Sequence, residues 1–238
     1  MKQERLDKLL ANLGYGSRRD VAAWIKQGLI EVAGKAVKSP SQKVVPDEVL
    51  LDGEVLDYPH GLTLIYHKPL GSVCSHKEIG RLIYEDFPER WMHRKPQISS
   101  VGRLDKETSG LLILTDDGHL NHFLTSPKHH IAKRYRVQLA QPLQGTEVAL
   151  FASGTLMLED DDKPCLPAEL DVLSDSEAEL TLHEGRYHQV RRMFVAAGNH
   201  VEKLTRISIG ELTLASTALQ PGAYQALHAE AVQRLVSG

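Results

Sequence analysis

Cysteine and long apolar runs are both scarce in this sequence of 238 residues, and each shortage excludes a class of protein. The two cysteines, Cys74 and Cys165, lie far apart and belong to no ligand motif, which favours a reducing cytoplasm over a disulfide framework. No run of about 18 apolar residues occurs, so no membrane span is expected. The first ten residues carry acidic groups and lack an apolar core segment, so no signal peptide is expected.

Motifs for bound nucleotides and metals are also missing. Neither a P-loop nor a GxGxxG motif occurs, which argues against chemistry driven by a bound nucleotide. His183 and His188 are five residues apart with Gly185 between them, whereas histidines that bind zinc from one helix face are at i and i+4. The acidic tract at residues 159–162 is typical of a solvated loop. We therefore expect no metal site.

The overall composition is that of an ordinary globular protein, with 42% hydrophobic and 25% charged residues. The net charge of −3 is unevenly distributed along the chain. Residues 1–45 contain nine Lys or Arg and four Asp or Glu, a net charge of +5, whereas the remaining 193 residues carry −8. A basic N-terminal segment is compatible with a polyanionic partner even when the total is acidic.

Residues 1–59 are predicted to form a small module of two helices and short strands. Leu6, Leu9 and Leu10 are spaced as one face of a helix that Gly14 ends, and Ser17 begins a second helix with a sequence like a capping box. Short extended segments separated by turns follow. The turn-rich segment at residues 56–61 is the predicted domain boundary.

This N-terminal order, RLDKLLANLGYGSRRDVAAWIKQGLIEVAGKAV, resembles the S4 RNA-binding module. Taken alone, charges on exposed helix faces are more often only solvated. The resemblance implies instead that a set of polar and basic residues contacts RNA: Arg5, Lys8, Ser17, Arg18 and Arg19. Such side chains would bind phosphates and position the chain without reading the RNA sequence.

Residues 101–118, VGRLDKETSGLLILTDDG, place charged groups directly before the most apolar run of the chain. Residues 111–114 have no polar alternation and are bounded by turn residues, which predicts a strand buried on both faces. Asp105 would then lie in a loop that enters the middle of a sheet, where a carboxylate is costly unless it is compensated. Taken alone, such an aspartate is more often a turn or capping residue.

The same stretch resembles the catalytic signature of the pseudouridine synthases that carry GRLD followed by TSGLLxLTxDG. The resemblance implies that Asp105 is the catalytic aspartate and that Arg103 lies next to the flipped-out base. It also implies an α+β fold, in which residues 60–238 form a mixed, mainly antiparallel sheet with flanking helices. One departure is His67 in HKPLG, where the family usually has Asn.

Residues 133–139 alternate in polarity as a strand does, with Tyr135, Val137 and Leu139 on one face. Taken alone, this pattern indicates a tyrosine of the core. The resemblance implies that Tyr135 is the second catalytic group, which stacks on the target base and takes part in removing a proton. An extruded base needs such an aromatic surface.

The third segment, EGRYHQVRRMF, leads into a helix whose apolar face includes Val190 and Phe194. Arg191 lies about 60° from Phe194 around the helix axis and is predicted to face the interior. There it would pair with Asp105 and keep that carboxylate ionised. Arg192 points away and is the candidate for solvent or an RNA phosphate. The family places its third catalytic group, Arg or Lys, at the position of Arg191.

Together these resemblances imply an isomerase that converts uridine to pseudouridine in ribosomal RNA. No cofactor is expected, because the reaction only moves uracil from an N1 link to a C5 link. The S4-like module and EGRYHQVRRMF resemble the small-subunit (16S) branch, which modifies one uridine, and large-subunit RNA is the alternative. A monomer in the cytoplasm with no membrane partner is expected.

Two further hypotheses come from other classes of protein. A non-catalytic ribosomal RNA-binding or assembly factor would use only the N-terminal module. A metal-dependent phosphoryl-transfer enzyme would use Asp116 and Asp117, but adjacent residues at a strand end point to opposite faces.

Overall fold

The computed structural model describes residues 3–237, which form two compact units. The first unit comprises the described residues up to Thr63 together with Tyr84–Ser99 and Leu114–Gly118. The second comprises Leu64–Ile83, Ser100–Ile113 and residues 119–237. Each unit is therefore assembled from several stretches of sequence. The domain boundary between residues 59 and 60 stays a prediction.

Two short helices begin the first unit where the leucine spacing predicts them. They are α1 (Leu6–Asn12) and α2 (Arg18–Lys26). The predicted capping box is confirmed, since Ser17 Oγ accepts from the Asp20 amide and the Asp20 carboxylate accepts from the Ser17 amide. The strands of this unit are β1 (Glu4–Arg5), β2 (Ile30–Val32), β3 (Lys35–Ala36), β4 (Lys43–Val44), β5 (Val49–Leu51) and β6 (Glu54–Val55).

Strands of the first unit form a four-stranded sheet in the order β3-β2-β5-β6, and β1 pairs with β4. The buried face of α1 packs into a core that also holds Val21, Ile30 and Val49, which are all less than 2% exposed. Two 3-10 helices, Pro46–Glu48 and Glu89–His93, belong to the same unit.

The segment Tyr84–Ser99 joins this unit through buried polar contacts. Arg94 is 3% exposed, and its Nε donates to Asp116 Oδ2 at 2.9 Å. Trp91 is also buried and its indole N–H donates to Asp57 Oδ2 at 2.7 Å. A further 3-10 helix, Ile83–Asp86, lies at the start of this segment.

A nine-stranded sheet is the framework of the second unit, in the order β11-β12-β10-β13-β9-β7-β15, with β14 on β13 and β8 on β9. All the pairs for which a register is given are antiparallel except β13 with β9. The strands are β7 (Thr63–Lys68), β8 (Ser99–Ser100), β9 (Thr108–Thr115), β10 (Lys133–Leu139), β11 (Glu169–Ser174), β12 (Glu177–Leu182), β13 (Val201–Ile209), β14 (Leu212–Thr213) and β15 (Tyr224–Ala226). The predicted mixed, mainly antiparallel α+β fold is confirmed.

The apolar run at residues 111–114 lies inside β9, and all four of its side chains are fully buried. This strand has β13 on one side and β7 on the other. The helices of the chain beyond residue 117 are α3 (Gly118–Thr125), α4 (Glu147–Ala152), α5 (Gln189–Ala196), α6 (Leu214–Thr217) and α7 (Ala229–Ser237), with a 3-10 helix at Pro127–His129. The predicted buried strand is therefore confirmed, and the loop before it is held between neighbouring strands.

Candidate active site

A cavity of about 630 Å³ opens over one face of the second unit's sheet. Its walls come from the loop before β9, the end of α3, the segment that leads into α5, and the strands β10, β12 and β13. The lining includes Arg103, Asp105 and Tyr135, which are three of the residues that the sequence singles out. Arg191 and Arg192 are not among the lining residues.

Asp105 lies in the loop before β9 with its side chain 30% exposed. Its Oδ1 is 3.3 Å from Nε2 of His188, a ring that is 35% exposed. The His188 backbone has φ of +48°, a left-handed conformation that is uncommon for residues other than Gly. The adjacent Tyr187 ring stacks on the imidazole at 3.9 Å between centroids. The carboxylate therefore meets an imidazole that the stack and the backbone both orient.

Arg191 does not pair with Asp105, so that part of the prediction is wrong. Its Nη1 donates to the carbonyl of Val201 at 2.8 Å and its Nη2 donates to the carbonyl of Glu107 at 2.9 Å. The helical spacing correctly predicted that Arg191 faces other segments of the protein, but its acceptors there are backbone oxygens. Arg191 thus ties α5 both to the loop that carries Asp105 and to the start of β13.

The expectation that Arg192 faces solvent or a phosphate is also wrong. The Arg192 guanidinium donates to the carbonyl of Glu159, to Asp161 Oδ1 at 2.8 Å and to the carbonyl of Tyr187 at 3.2 Å. Arg186 binds the other oxygen of the Asp161 carboxylate at 2.9 Å. Hydrogen bonds from Arg186 and then Arg192 lower the pKa of Asp161. The acidic tract is exposed at Glu159, Asp160 and Asp162, as predicted for a solvated loop, and it is anchored at Asp161.

Tyr135 and Arg206 form part of the cavity floor. They are opposite each other on β10 and β13, and directly paired residues of an antiparallel ladder point to the same face. Tyr135 is half-buried, as a stacking surface for a base would be, whereas Arg206 is only 2% exposed. Lys133, two residues before Tyr135, also lines the cavity, and burial lowers its pKa.

Arg103 and His67 have local partners. The exposed Arg103 side chain forms an ion pair of 2.8 Å with Glu78. His67 stands where the related family has Asn, and its Nδ1 donates to the carbonyl of Leu219 at 2.8 Å. An imidazole can thus make one backbone hydrogen bond that an amide N–H could also make. Lys68, the next residue, is fully buried and donates to the carbonyl of Thr108 at 2.8 Å.

The residues predicted to contact RNA lie on the first unit. Lys8, Arg18 and Arg19 are exposed. Arg5 is exposed too, but its guanidinium pairs with the buried Asp7 at 2.8 Å, and the hydroxyl of Ser17 caps α2. Three of the five side chains therefore point freely to solvent at the α1–α2 end, while two also have structural partners.

The part of the chain that the structure describes contains neither a metal-binding cluster nor a membrane-spanning helix. Within residues 3–237 no group of three or more His, Cys, Asp or Glu is arranged to hold a metal ion. None of the helices there is long and apolar enough to cross a bilayer. Asp116, considered for a phosphoryl-transfer site, is occupied by Arg94 and by the Leu62 amide at 2.8 Å.

Sequence reasoning missed two residues of the cavity, His188 and Arg206. The sequence presents His188 only as a possible zinc ligand, because its left-handed backbone and its approach to Asp105 have no local sequence signal. Arg206 did leave a signal. In VEKLTRISI it shares the strand face of Leu204, so an arginine occupies a position that the alternation assigns to the interior.

Comparison with known proteins gives the same two-part organisation. The model of the RNA pseudouridylate synthase family matches residues 62–196, and the S4 domain model matches residues 4–57. The ribosomal small subunit pseudouridine synthase A of Pasteurella multocida is 41% identical over 233 residues, which cover 96% of this chain and 97% of that protein. The protein of the same name from Escherichia coli strain K12 is 38% identical over 237 residues, with 98% and 100% covered.

A solved structure agrees with these matches. A crystal structure described as a pseudouridylate synthase is 38% identical, has a TM-score of 0.69, and covers 98% of this chain and 100% of its own. The family matches fall on the parts of the chain that hold the α1–α2 module and the loop of Asp105. The chain therefore belongs to the RNA pseudouridylate synthase family, and it carries an S4 domain in its N-terminal part.

Proposed function

We propose that the chain isomerises one uridine of small-subunit ribosomal RNA to pseudouridine, with Asp105 as the catalytic group. The observation that carries this proposal is the cavity itself. It brings the Asp105 carboxylate and the Tyr135 ring, which are 30 positions apart in the sequence, onto the walls of one space of about 630 Å³. That volume falls within the range of small-molecule sites, so it can take an extruded nucleoside.

The RNA has to present the target uridine outside its stack, at a cost of a few kcal/mol. Arg103, exposed at the rim, is suited to fill the vacated position once it leaves Glu78. The extruded base would then lie against Tyr135, whose half-buried ring offers a stacking surface. These roles use residues that line the same cavity.

Asp105 acts at the sugar, either as the nucleophile on C1′ or as the base that removes the C2′ proton. Carboxylates serve in both ways at anomeric centres. Because Arg191 binds the carbonyl of Glu107, two residues further on, it positions the loop and not the carboxylate itself. The freed uracil turns and rejoins the ribose through C5, and no cofactor takes part in this isomerisation.

The small-subunit substrate is proposed from the relatives, which are described as ribosomal small subunit pseudouridine synthases over nearly their full length. Exposed Lys8, Arg18 and Arg19 of the S4 domain would contact RNA phosphates, and such contacts weaken steeply with salt. Arg5 and Ser17 would contribute while keeping their partners in the fold. Arg192 is left out of this set because Asp161 holds it.

Tritium release from C5-labelled uridine in small-subunit ribosomal RNA tests the proposal, because the C5 hydrogen is lost only when the new bond forms. Wild type should release tritium in the presence of a chelator, and Asp105→Asn should release none. Glu107→Gln is the matched control, since it neutralises an exposed carboxylate in the same loop. It should retain release close to wild type.

The outcomes separate the parts of the proposal. Equal release by wild type and Asp105→Asn would remove Asp105 from the mechanism. Release only from large-subunit RNA would contradict the substrate and leave the reaction intact. No release from either RNA, with binding retained, would favour a non-catalytic RNA-binding protein.

A further inference from the structure

Arg206 is a buried cation that no carboxylate neutralises. The side chain is 2% exposed, and its one hydrogen bond among the residues described runs from Nε to the carbonyl of Leu111 at 2.8 Å. Its Nη2 is shielded from solvent and has no hydrogen-bond partner within residues 3–237. A guanidinium keeps its charge in any protein environment, so this arrangement is costly unless a ligand completes it.

Other cations increase that cost. Lys68 is fully buried, and Lys133 lines the same cavity as Arg206. Burial is the main cause that lowers the pKa of each lysine, and the charge of Arg206 lowers both further. The carboxylates of Asp105 and Glu107 act in the opposite direction on Lys68. Arg206 and Lys133 therefore bring positive charge to the wall of the cavity, where the lining carboxylates are Asp105 and Glu184, and Glu184 is already bound by Arg186.

The position of Arg206 brings this charge to the wall of the cavity. It stands opposite Tyr135 on the neighbouring strand, with both side chains on the cavity side of the sheet. Thr108 lines the same cavity, and its buried Oγ1 likewise has no partner among the residues described. Two unsatisfied donors beneath one cavity fit a ligand that brings hydrogen-bond acceptors, and the carbonyl oxygens of uracil are such acceptors.

We propose that Arg206 is a further catalytic residue, whose guanidinium donates to a carbonyl oxygen of the extruded uracil and stabilises the negative charge that the ring acquires when the N1–C1′ bond breaks. The proposal rests on the proposed function and adds the group that stabilises the leaving base. Preorganised donors aimed at developing charge in a site shielded from water are a large source of catalysis.

Asp105 can act by either of two routes, and on both of them the departing uracil carries a negative charge that a cation can stabilise. When the N1–C1′ bond breaks, its electron pair stays on uracil and spreads from N1 onto O2 and O4. On one route an Asp105 oxygen bonds to C1′. On the other, Asp105 takes the C2′ proton and the C2′–H pair becomes the C1′=C2′ double bond.

The ring departs as an anion in both cases, so the role of Arg206 does not depend on which route Asp105 follows. C5 then bonds to C1′, and this bond displaces the Asp105 oxygen or is accompanied by return of the proton to C2′. The ring finally loses the C5 proton and gains one at N1. The product is therefore an isomer of the substrate, and no other reactant is consumed.

The test uses the full chain with Arg206→Met, which removes the charge at similar size, and Arg206→Lys, which keeps it. Single-turnover tritium release at saturating enzyme reports the chemical step, RNA affinity reports binding, and Tm reports folding. We expect Arg206→Met to lower the release rate by about 100-fold or more, as loss of one preorganised donor does. Its RNA affinity and Tm should stay at or above those of wild type, because an uncompensated buried charge is gone.

A second signature separates leaving-group stabilisation from any structural role. Fluorine at C5 makes the departing uracil anion less basic, so 5-fluorouridine in the same RNA needs less help to leave. The deficit of Arg206→Met, followed as loss of intact 5-fluorouridine, should therefore be smaller than the deficit with uridine. Guanidinium added to Arg206→Ala should restore part of the rate.

Each contrary result has its own meaning. If Arg206→Met keeps the wild-type rate, the assignment is overturned. If Arg206→Met binds RNA more weakly but keeps the wild-type rate at saturating enzyme, Arg206 contacts a phosphate and the assignment is also overturned. A lower Tm with no rescue by Lys or guanidinium would make Arg206 a residue of the core. Wild type that releases no tritium would refute the proposed function, which the Arg206 variants alone cannot do.

Discussion

Replacing Arg191 distinguishes a structural clamp from a direct ion pair with Asp105. The guanidinium makes two hydrogen bonds to backbone carbonyls, one on Glu107 and one on Val201. A hydrogen bond from a charged donor is worth about 1.5–3 kcal/mol, and the lower value applies here because Arg191 is only half-buried. Arg191→Met should therefore cost about 3 kcal/mol and Arg191→Lys, which can reach one carbonyl, about 1.5 kcal/mol.

These free energies translate into measurable shifts. For a unit of this size each kcal/mol lowers Tm by about 2–4 °C, so we expect a fall of about 6–12 °C for Met and about 3–6 °C for Lys. The loop of Asp105 loses a tether in both variants, and a displacement of about 1 Å at a reacting group can cost about 100-fold in rate. Thermal unfolding followed by circular dichroism and single-turnover tritium release measure the two effects.

The Arg191→Lys variant distinguishes the clamp on two backbone carbonyls from an ion pair with Asp105. If Arg191 acts through its charge on Asp105, lysine should preserve both the rate and Tm, and that result would refute the clamp. If it acts by holding two carbonyls, the two variants should fall in order, with lysine between methionine and wild type. Lys203→Met, an exposed charge removed from β13, serves as the control and should leave both quantities unchanged.

Two further predictions concern the first unit. The hydrogen bond with Arg5 is the main cause that lowers the pKa of the buried Asp7. The Asp7 carboxylate therefore stabilises the fold above its unfolded pKa of about 3.9, and this stabilisation is lost as the pH falls through the lowered folded pKa. Asp7→Asn should cost about 1 kcal/mol in urea unfolding at neutral pH, and the difference from wild type should close below about pH 4; a difference that persists there would contradict this. Asp116→Asn breaks the buried pair with Arg94 and should cost about 3–5 kcal/mol by the same measurement, and a loss below about 1 kcal/mol would show that the pair is not needed.

Residue spacing within single segments predicted the strands and helices that these segments form. Residues 111–114 form a fully buried strand because nothing polar interrupts them, and Ser17 caps α2 because its hydroxyl meets an amide three residues on. The strand that carries Tyr135 and the helix that carries Arg191 follow from alternation and helical spacing. In each case the residues that set the element lie within one or two turns of each other.

Contacts between distant segments were not predictable in the same way. Helical spacing gave the direction of Arg191, but its acceptors depend on where the backbone of Glu107 and Val201 lies after folding. The segment Tyr84–Ser99 has no periodicity, and its place in the first unit depends on partners such as Asp57 and Asp116. Likewise, no alternation could show that β13 would be inserted between β10 and β9.

The arginines around the cavity differ in what neutralises them, and this difference assigns their roles. Arg186 and Arg192 share the Asp161 carboxylate, so their charges are used to anchor the acidic loop. Arg191 is satisfied by two carbonyl oxygens, which fix the backbone near Asp105 without neutralising the charge of that residue. Arg206 alone of these four has a shielded nitrogen without a partner among the residues described. Since no described residue completes its hydrogen bonding, Arg206 is suited to donate to the bound base at the moment when the departing uracil becomes an anion.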